Sequence, residues 1–287
     1  MSAALNGRPD WVDAARARAL RPPARPRLPF AVVGHMVGSV DAEIFDEIAL
    51  QRLLDKRWQL SKKEFGGAQC WQLLNTDEGL IDATGTTDAL NALARALRTT
   101  GHCGPWRDEQ LAVHNAAGDC IGTVERGAVR PLGITTRAVH LVACAPGGAM
   151  WVQQRAFTKP SNPGLWDTTM GGMVSAADTL PQALARETWE EAGLEITALH
   201  GVAHGGHVDF ARPCEAGGDG GQHAETGYMV ERIDWFRATL PQGVVPVNQD
   251  GEVERFEAWS PAEVHTRLAA GAFTPEAALV LAGFYGW

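Results

Sequence analysis

The stretch from Arg186 to Leu194, RETWEEAGL, is the feature that most restricts how this chain folds. Three glutamates, Glu187, Glu190 and Glu191, stand at positions i, i+3 and i+4, which a helix places on one face. Like charges at this spacing repel one another, and the C-terminal end of a helix is the negative end of its dipole. Because something must offset this cost, the obvious candidate is a bound cation. The stretch therefore predicts a helix that contributes to a functional site.

Residues around this stretch supply the start and the end of such a helix. Thr179 is suited to cap it, with Gln182 three residues later to complete a capping box and Pro181 in the first turn. Gly193 supplies the left-handed residue with which many helices end. These signals fall in register with the glutamates, so a solvated acidic helix face is the weaker interpretation.

From position 172 to position 194 the chain reads GMVSAADTLPQALARETWEEAGL, which resembles the Nudix box. That motif is G-x5-E-x7-R-E-U-x-E-E-x-G-U, where U is an apolar residue. The positions that match it are Gly172, Arg186, Glu187, Glu190, Glu191, Gly193 and Leu194. Two positions depart from the motif: Asp178 stands where the box has Glu, and Thr188 stands at an apolar position. Asp178 keeps the charge, and in the family this residue lies outside the innermost metal shell.

The resemblance implies a metal-dependent hydrolase of phosphoric anhydrides. The cofactor would be Mg²⁺, for which Mn²⁺ can substitute, held by Glu187, Glu190, Glu191 and the backbone carbonyl of Gly171. Catalytic roles would fall to Glu187, Glu190 and Arg186, the arginine orienting a glutamate through a bidentate ion pair. The residue types agree, because Mg²⁺ prefers oxygen ligands and is usually held by a few carboxylates plus substrate phosphates. Metal ions that bridge a diphosphate neutralise its charge and activate water for attack at phosphorus.

Other candidate residues lie outside the box. Arg155 and Lys159 stand where relatives have a basic strand end and loop next to the phosphates, so they are candidates for substrate binding. Glu252 or Glu254 could supply the additional glutamate that many Nudix enzymes bring from a later loop or strand. For these four residues, simple surface charge or an exposed strand edge is about as good an interpretation.

The composition of the chain changes near residues 126–133, RGAVRPLG. This change predicts an appended N-terminal α+β domain over 1–130 and a Nudix domain over 131–287. Mixed strands with interleaved helices favour an α/β sandwich, and the resemblance implies an α/β/α Nudix sandwich with a mixed sheet. The helix over 86–101 has Thr86 and Thr87 as available caps and Gly101 as its stop. The other elements expected are a helix over 9–25, a strand over 30–37, a helix over 41–57, a hairpin turning at AAGD, strands over 135–145 and 149–156, and a last helix from about Pro261.

Charge and composition narrow the choice of partners. The 287 residues carry a formal net charge of −9, which argues against nucleic acid as the main partner. The longest apolar runs are too short and too interrupted to span a membrane, and the first residues lack the apolar core of a secretory signal. Five scattered cysteines without a C-x-x-C spacing favour free thiols in a reducing cytoplasm. We therefore expect a cytoplasmic protein that binds a small-molecule diphosphate, with a homodimer as the candidate assembly.

Similarity beyond the box indicates one branch of the superfamily. The segments GITTRAVHLVAC, MWVQQRAFTKPSNPGLWDTTMGG, PVNQDGEVERFEAW and GAFTPEAALVLAGF resemble the Nudix half of fungal proteins fused to thiamine pyrophosphokinase. That resemblance implies a diphosphatase that acts on thiamine diphosphate, and especially on its oxidised or damaged analogues, releasing the monophosphate ester and phosphate. A site for this cationic ring should have an aromatic or acidic wall, for which Trp106, Trp166 and Trp235 are available.

Alternative functions fit the sequence less well. Enzymes that cleave ADP-ribose tend to have a proline shortly after the box, and here none occurs until Pro213. An isopentenyl diphosphate isomerase would need a catalytic cysteine in the strand before the box, whereas no cysteine lies between Cys144 and Cys214. A zinc site at His204, His207 and His223 lacks further ligands, so these are expected to be exposed loop histidines. A non-catalytic ligand sensor usually lacks the carboxylates that this chain keeps.

Overall fold

The first half of the chain forms a small sheet and a separate hairpin in the computed structural model, which describes residues 7–65, 67–76, 83–215 and 225–287. Its strands are β1 (Arg27–Val32), β2 (His35–Asp41), β3 (Trp58–Phe65), β4 (Ala68–Asn75), β5 (Gln110–His114) and β6 (Cys120–Glu125). The sheet has the order β2–β1–β4–β3, with β1 and β4 parallel, and β5 pairs with β6. The expected hairpin at AAGD is thereby confirmed.

The second half forms a larger mixed sheet. Its strands are β7 (Thr135–Cys144), β8 (Met150–Arg155), β9 (Trp166–Asp167), β10 (Met170–Met173), β11 (His200–Pro213), β12 (Tyr228–Thr239) and β13 (Val253–Trp259). They follow the path β11–β12–β7–β8–β13, with β10 beside β7 and β9 beside β8. Because β12 runs parallel to β7 while β8, β10 and β11 pair antiparallel with their neighbours, the expected mixed sheet is confirmed.

Helices cover both faces of this larger sheet. The helices that do so are α1 (Asp10–Ala19), α4 (Leu180–Ala192), α5 (Pro261–Ala269) and α6 (Pro275–Tyr285). Two further helices, α2 (Ile44–Glu47) and α3 (Ala83–Thr99), pack with the small sheet. Successive side chains of β7 point to opposite faces: Val139 and Leu141 pack with α4, whereas Ala138 and Val142 pack with α1, α5 and α6. The expected α/β/α sandwich is therefore present. Within the described ranges, no helix is both long and apolar enough to cross a membrane.

The segment at which the composition of the sequence changes, near residues 126–133, is largely buried. Residues 127–134 are all buried, and Leu132, Ile134 and Met173 pack in one core with the small sheet and the apolar face of α3. The amide of Ser39 on β2 donates a hydrogen bond to the carbonyl of Leu132 at 3.0 Å. The proposed division between residues 1–130 and 131–287 therefore passes through a packed interface.

Two elements of the N-terminal half differ from the sequence prediction. The strand expected over 30–37 is a hairpin, because Val33 and Gly34 adopt positive φ angles of 48° and 84° and turn the chain from β1 into β2. The helix expected over 41–57 is reduced to α2 and a 3-10 turn at Leu50–Leu53, with Ala49 at a φ of 48° between them. Single residues in the left-handed region break an apolar periodicity that otherwise suggests one continuous element.

Three of the expected helices also differ at their boundaries. Helix α1 ends at Ala19, six residues before the expected end. Helix α3 starts at Ala83, so Thr86 and Thr87 lie inside it and do not cap it, while its stop at Gly101 (φ 78°) is confirmed. The last helix, expected from about Pro261, is two helices. Gly271 interrupts it with a φ of 69°. Thr274 caps α6, because its hydroxyl accepts a hydrogen bond from the amide of Ala277 at 3.1 Å.

The close approach of β2 to the buried segment gives a stability test. A Cβ at Gly38 would lie 2.8 Å from the carbonyl oxygen of Gly133, and backbone cannot move aside as a side-chain tip can. We expect Gly38→Ala to lower the free energy of unfolding by about 1–3 kcal/mol through overpacking. Gly147→Ala is the matched control, because its Cβ would meet nothing within 4 Å. Urea unfolding of the two variants and wild type measures this, and equal stabilities would contradict the packing described.

Candidate active site

The expected helix is present as α4, and the residues that the sequence indicated set its ends. The amide and the hydroxyl of Thr179 both donate to Oε1 of Gln182, at 2.9 and 2.7 Å. Gly193 ends the helix with a φ of 62°, and its amide bonds to the carbonyl of Trp189 at 2.8 Å. A Cβ at Gly193 would lie 2.6 Å from Nε2 of Gln249, so both conformation and space favour glycine there.

Arg186 offsets the repulsion among the glutamates. Its guanidinium donates to Oδ2 of Asp178, to Oε1 of Glu187 and to Oε2 of Glu190, each at 2.9 Å. One cation is therefore shared among three carboxylates through charge-assisted hydrogen bonds, which are stronger than neutral ones. Asp178 is shorter than the glutamate of the motif but still reaches the arginine, so this departure keeps the ion pair.

The remaining glutamate of the helix is held differently. Glu191 is 3% exposed, and it accepts hydrogen bonds from Nε2 of Gln153 at 2.8 Å and from the amide of Gly171 at 3.0 Å. Burial raises the pKa of Glu191 to about 8, although these two hydrogen bonds oppose the shift. Burial likewise raises the pKa of Glu187 to about 7, against the charge of Arg186. A buried and a half-buried carboxylate, both with raised pKa values, form a place where a cation would be stabilised.

Two glycines allow a strand to pass directly against these carboxylates. Gly171 and Gly172 lie in β10, which pairs with β7. A Cβ at Gly172 would overlap the carboxyl group of Glu187, and one at Gly171 would lie 2.8 Å from Nε2 of His140. Larger residues would therefore displace β10 from the helix on one side and from the histidine ring on the other.

A cavity of about 490 Å³ opens beside α4 and β10. Glu187, Glu191 and Gly171 line it, whereas Glu190 does not. The side chain of Glu190 lies against Arg186 and remains 44% exposed. The cavity volume falls within the range of roughly 300–1,000 Å³ that is usual for small-molecule sites.

Besides Arg155 and Asp167, the cavity wall has two groups of charged residues. The first group lies around the carboxylates of α4 and consists of Arg107, Arg126, Lys159 and Glu252. The second, which we call the distal acidic group, consists of Glu215, Glu231 and Glu276 with Arg130 and Arg212. Arg130 donates to Oε2 of Glu231 at 2.8 Å, and Arg212 donates to Oε1 of Glu276 at 3.1 Å. Burial raises the pKa of Glu276, and the charge of Glu231 adds to the shift, so these two carboxylates are neighbours.

The candidate substrate-binding residues also reach the cavity. Arg155 donates to the carbonyl of Ser161 at 3.0 Å, and Lys159 forms an ion pair with Glu252. All of these residues line the cavity. Glu254, by contrast, is an exposed residue of β13 and is not part of the cavity wall. Of the two candidate auxiliary glutamates, the structure therefore brings Glu252 to the site and leaves Glu254 outside it.

His140 is a cavity residue that the sequence analysis missed. Thr168 Oγ1 donates to the carbonyl of Met170 at 2.8 Å, so it must accept from Nδ1 of His140, which also lies 2.8 Å away. This assigns the proton to Nδ1 and leaves Nε2 as an acceptor. Burial lowers the pKa of His140, which favours the neutral ring. A polar residue inside the apolar run of β7 was the signal that could have indicated it.

The other histidines and the tryptophans lie elsewhere. His204 and His207 are exposed, as expected, but they belong to strand β11 rather than to a loop, and His223 falls outside the described residues. Trp166 and Trp235 are buried in the core with α6, and Trp106 packs on the core of the small sheet. Among the cavity-lining residues that the structure describes, His140 supplies the one aromatic ring.

Comparison with known proteins agrees with the geometry of α4 and β10. The model of the NUDIX domain matches residues 134–280, just over half of the chain, and this stretch contains the helix, the glycines and Arg155. This chain belongs to the NUDIX domain family.

Known proteins match parts of this chain. The uncharacterised protein YJR142W of Saccharomyces cerevisiae is 26% identical over 186 residues, covering 62% of this chain and 54% of the relative. An uncharacterised Nudix hydrolase of Pseudomonas aeruginosa, PA4841, is 34% identical over 79 residues, 28% of this chain and 47% of the relative. The isopentenyl-diphosphate Delta-isomerase of Streptomyces coelicolor is 31% identical over 140 residues, 48% of this chain and 64% of the relative. The chain spans about half the length of the first two.

The Nudix carboxylates suit a hard divalent cation. Within the part of the chain that the structure describes, no three acidic, histidine or cysteine side chains surround a common point. Arg186 holds Glu187 and Glu190, and Glu191 is turned toward Gln153. The oxygen donors at the cavity are nevertheless of the kind that Mg²⁺ and Mn²⁺ prefer. The raised pKa values of two of these carboxylates agree with a cation completing the site.

The buried Glu191 gives a pH-dependent stability test. Its pKa rises on folding from 4.5 to about 8, so between these values the folded state binds more protons than the unfolded state. The carboxylate therefore destabilises the metal-free fold increasingly as the pH rises from 5 to 8. In EDTA, we expect Glu191→Gln to be more stable than wild type at pH 8, by on the order of a few kcal/mol, with a smaller difference at pH 5.

Urea unfolding at several pH values measures this difference. Glu195→Gln is the control, because Glu195 is exposed just beyond the same helix. A difference for Glu191→Gln that stays constant with pH would contradict the raised pKa.

Proposed function

We propose that this protein is a Mg²⁺-dependent Nudix hydrolase that cleaves a phosphoric anhydride, with Mn²⁺ able to replace Mg²⁺. The observation that carries the proposal is the placement of the half-buried Glu187 and the buried Glu191, both with raised pKa values, at a cavity beside Gly171. Such a pair is costly to the fold, and a bound divalent cation offsets that cost.

The residues of the site have distinct roles in this proposal. Glu187, Glu191 and the carbonyl of Gly171 would hold the metal, with Glu190 joining them when it leaves Arg186. Metal ions bound there would neutralise the diphosphate and lower the pKa of a water molecule. Arg186 keeps the orientation of Glu187 through their 2.9 Å hydrogen bond. The proposed metal ligands are therefore Gly171, Glu187, Glu190 and Glu191. The proposed catalytic residues are Glu187, Glu190 and Arg186.

Substrate phosphates would be contacted by Arg155 and Lys159, with Glu252 as the auxiliary glutamate. The structure supports this part of the proposal by the position of all three at the cavity. The ion pair between Lys159 and Glu252 must open when a metal or phosphate binds. Glu252, which directly precedes β13, would then be available as an oxygen ligand.

The proposed substrate is a thiamine-type diphosphate, especially an oxidised or damaged one, cleaved to the monophosphate ester and phosphate. Its thiazolium ring is a cation, which calls for an aromatic or acidic wall. The tryptophans do not supply that wall, since Trp166 and Trp235 are buried elsewhere. We assign the ring to the distal acidic group, in which three carboxylates stand against the two arginines that pair with Glu231 and Glu276. A cytoplasmic location belongs to this proposal and accords with five scattered cysteines that show no C-x-x-C spacing.

An isomerase of isopentenyl diphosphate is the second candidate, because one relative carries that activity in its name. The absence of cysteine between positions 144 and 214 of the sequence counts against it. The distal acidic group also gives no apolar pocket for an isoprenoid chain. A Nudix pyrophosphatase acting on ADP-ribose, and a non-catalytic ligand sensor, are the remaining alternatives that the experiments below distinguish.

The metal-site proposal predicts the effect of removing one carboxylate. Glu187→Gln should reduce kcat with Mg²⁺ by at least about a hundredfold, since it removes a charged metal ligand. The fold should survive, or gain slightly in stability without metal, because a buried charge is removed. The control is again Glu195→Gln, which should retain wild-type turnover. Near-wild-type turnover of Glu187→Gln at saturating substrate would exclude this residue from the metal site.

The substrate proposal predicts a ranking of kcat/KM. Hydrolysis should be fastest for oxo- or oxythiamine diphosphate, slower for thiamine diphosphate, and slower still for ADP-ribose and nucleoside triphosphates. Phosphate release measures the thiamine compounds, whereas formation of AMP measures ADP-ribose, because its internal diphosphate yields two phosphate monoesters and no free phosphate. Discrimination among the thiamine forms should be modest, because a small change in a pocket is worth ~1–3 kcal/mol. EDTA should abolish all of these activities. A tenfold or greater preference for ADP-ribose would overturn the thiamine assignment, and isomerisation of isopentenyl diphosphate without phosphate release would overturn the hydrolase.

A further inference from the structure

Part of the cavity wall comes from outside the residues that match the NUDIX domain. Arg107 and Arg126 both line the cavity that Glu187 and Gly171 also line. Both precede position 134, where the family match begins. The cavity beside the Nudix carboxylates is therefore completed by the segment around the β5–β6 hairpin.

Backbone contacts fix these two arginines beside each other. The amide of Gly104 donates to the carbonyl of Gly127 at 2.8 Å, and a Cβ at Gly127 would lie 2.9 Å from the carbonyl oxygen of Gly104. The buried carboxylate of Glu125 accepts from the amide of Arg107 at 2.7 Å and from that of Gly127 at 3.3 Å. Because these contacts involve backbone and a buried side chain, they hold Arg107 and Arg126 in place on a rigid wall.

The charges of these arginines are directed toward the cavity. Burial alone would raise the pKa of Glu252, yet it is lowered, by Lys159 first and then by the charges of Arg126 and Arg107. Lys159 is engaged by Glu252, and Arg126 pairs with Glu109 at 2.8 Å. Arg107 is exposed and forms no ion pair with any residue that the structure describes. Its guanidinium is thus a cation at the cavity wall with its hydrogen-bonding capacity available.

We propose that Arg107 and Arg126 bind the terminal phosphate of the substrate, and that the cavity therefore selects a terminal diphosphate over one that links two groups. This rests on the proposed hydrolase function. A terminal phosphate has one more free oxygen and more negative charge than a phosphate esterified on both sides. Arginine suits this group because its planar set of donors matches phosphate oxygens.

The arginines are tested with a terminal and an internal diphosphate in parallel. Arg107→Ala should raise KM for thiamine diphosphate at least about tenfold with kcat little changed, since a charge-assisted hydrogen bond is lost. KM for ADP-ribose should stay within about twofold of wild type, because its diphosphate has no terminal phosphate. Arg107→Lys should recover part of the loss, and Arg126→Ala should behave as Arg107→Ala does. Equal losses on both substrates, or no loss on either, would overturn the proposal.

A binding measurement separates this proposal from the hydrolase proposal. Titration calorimetry of the full chain with inorganic pyrophosphate and Mg²⁺ requires no turnover. Arg107→Ala should weaken this binding at least about tenfold, whereas Arg95→Ala, an exposed change on α3 away from the cavity, should not. If neither substrate is hydrolysed by wild type, the hydrolase proposal fails while pyrophosphate still tests the arginines. Unchanged pyrophosphate binding by Arg107→Ala would overturn their role.

Discussion

The arrangement of the site depends on one guanidinium shared among three carboxylates. Arg186 contacts Asp178 before the helix and Glu187 and Glu190 on it, so a single cation joins the loop to the helix. Without it, two exposed or half-buried carboxylates would repel each other one turn apart. The arginine therefore makes the acidic face tolerable before any metal is present. It also leaves Glu191, which it does not contact, as the carboxylate most in need of another cation.

The helix could be predicted because its determinants are local in sequence. Capping residues, the glycine stop and the spacing of the glutamates act over one to four residues, and each was found where it was expected. The α/β/α sandwich followed from the same kind of pattern, since β7 reads as an apolar run and is buried on both faces. The sequence predicted that Arg186 forms an ion pair with one glutamate. In the structure it forms ion pairs with Asp178, Glu187 and Glu190.

The rest of the site depends on contacts between residues far apart in sequence, which local patterns do not encode. His140 reaches the cavity because β7 pairs with β10, and Arg107 reaches it because the hairpin packs beside the Nudix box. Periodicity could not decide between Glu252 and Glu254, whereas the ion pair with Lys159 does. In the N-terminal half, the hairpin turn uses Val33 at positive φ, a conformation that valine rarely adopts and sequence does not signal.

Strand β10 belongs to two structures at once. Its hydrogen bonds join it to β7 in the larger sheet, while Met173 packs in the core that α3 shares with the small sheet. The strand therefore cannot loosen from one half of the chain without disturbing the other. Local opening of β10 therefore disturbs both cores, which couples the integrity of the site to the packing of both halves of the chain. Sequence changes far away in the small sheet can accordingly alter the site without touching it, by changing how often β10 detaches.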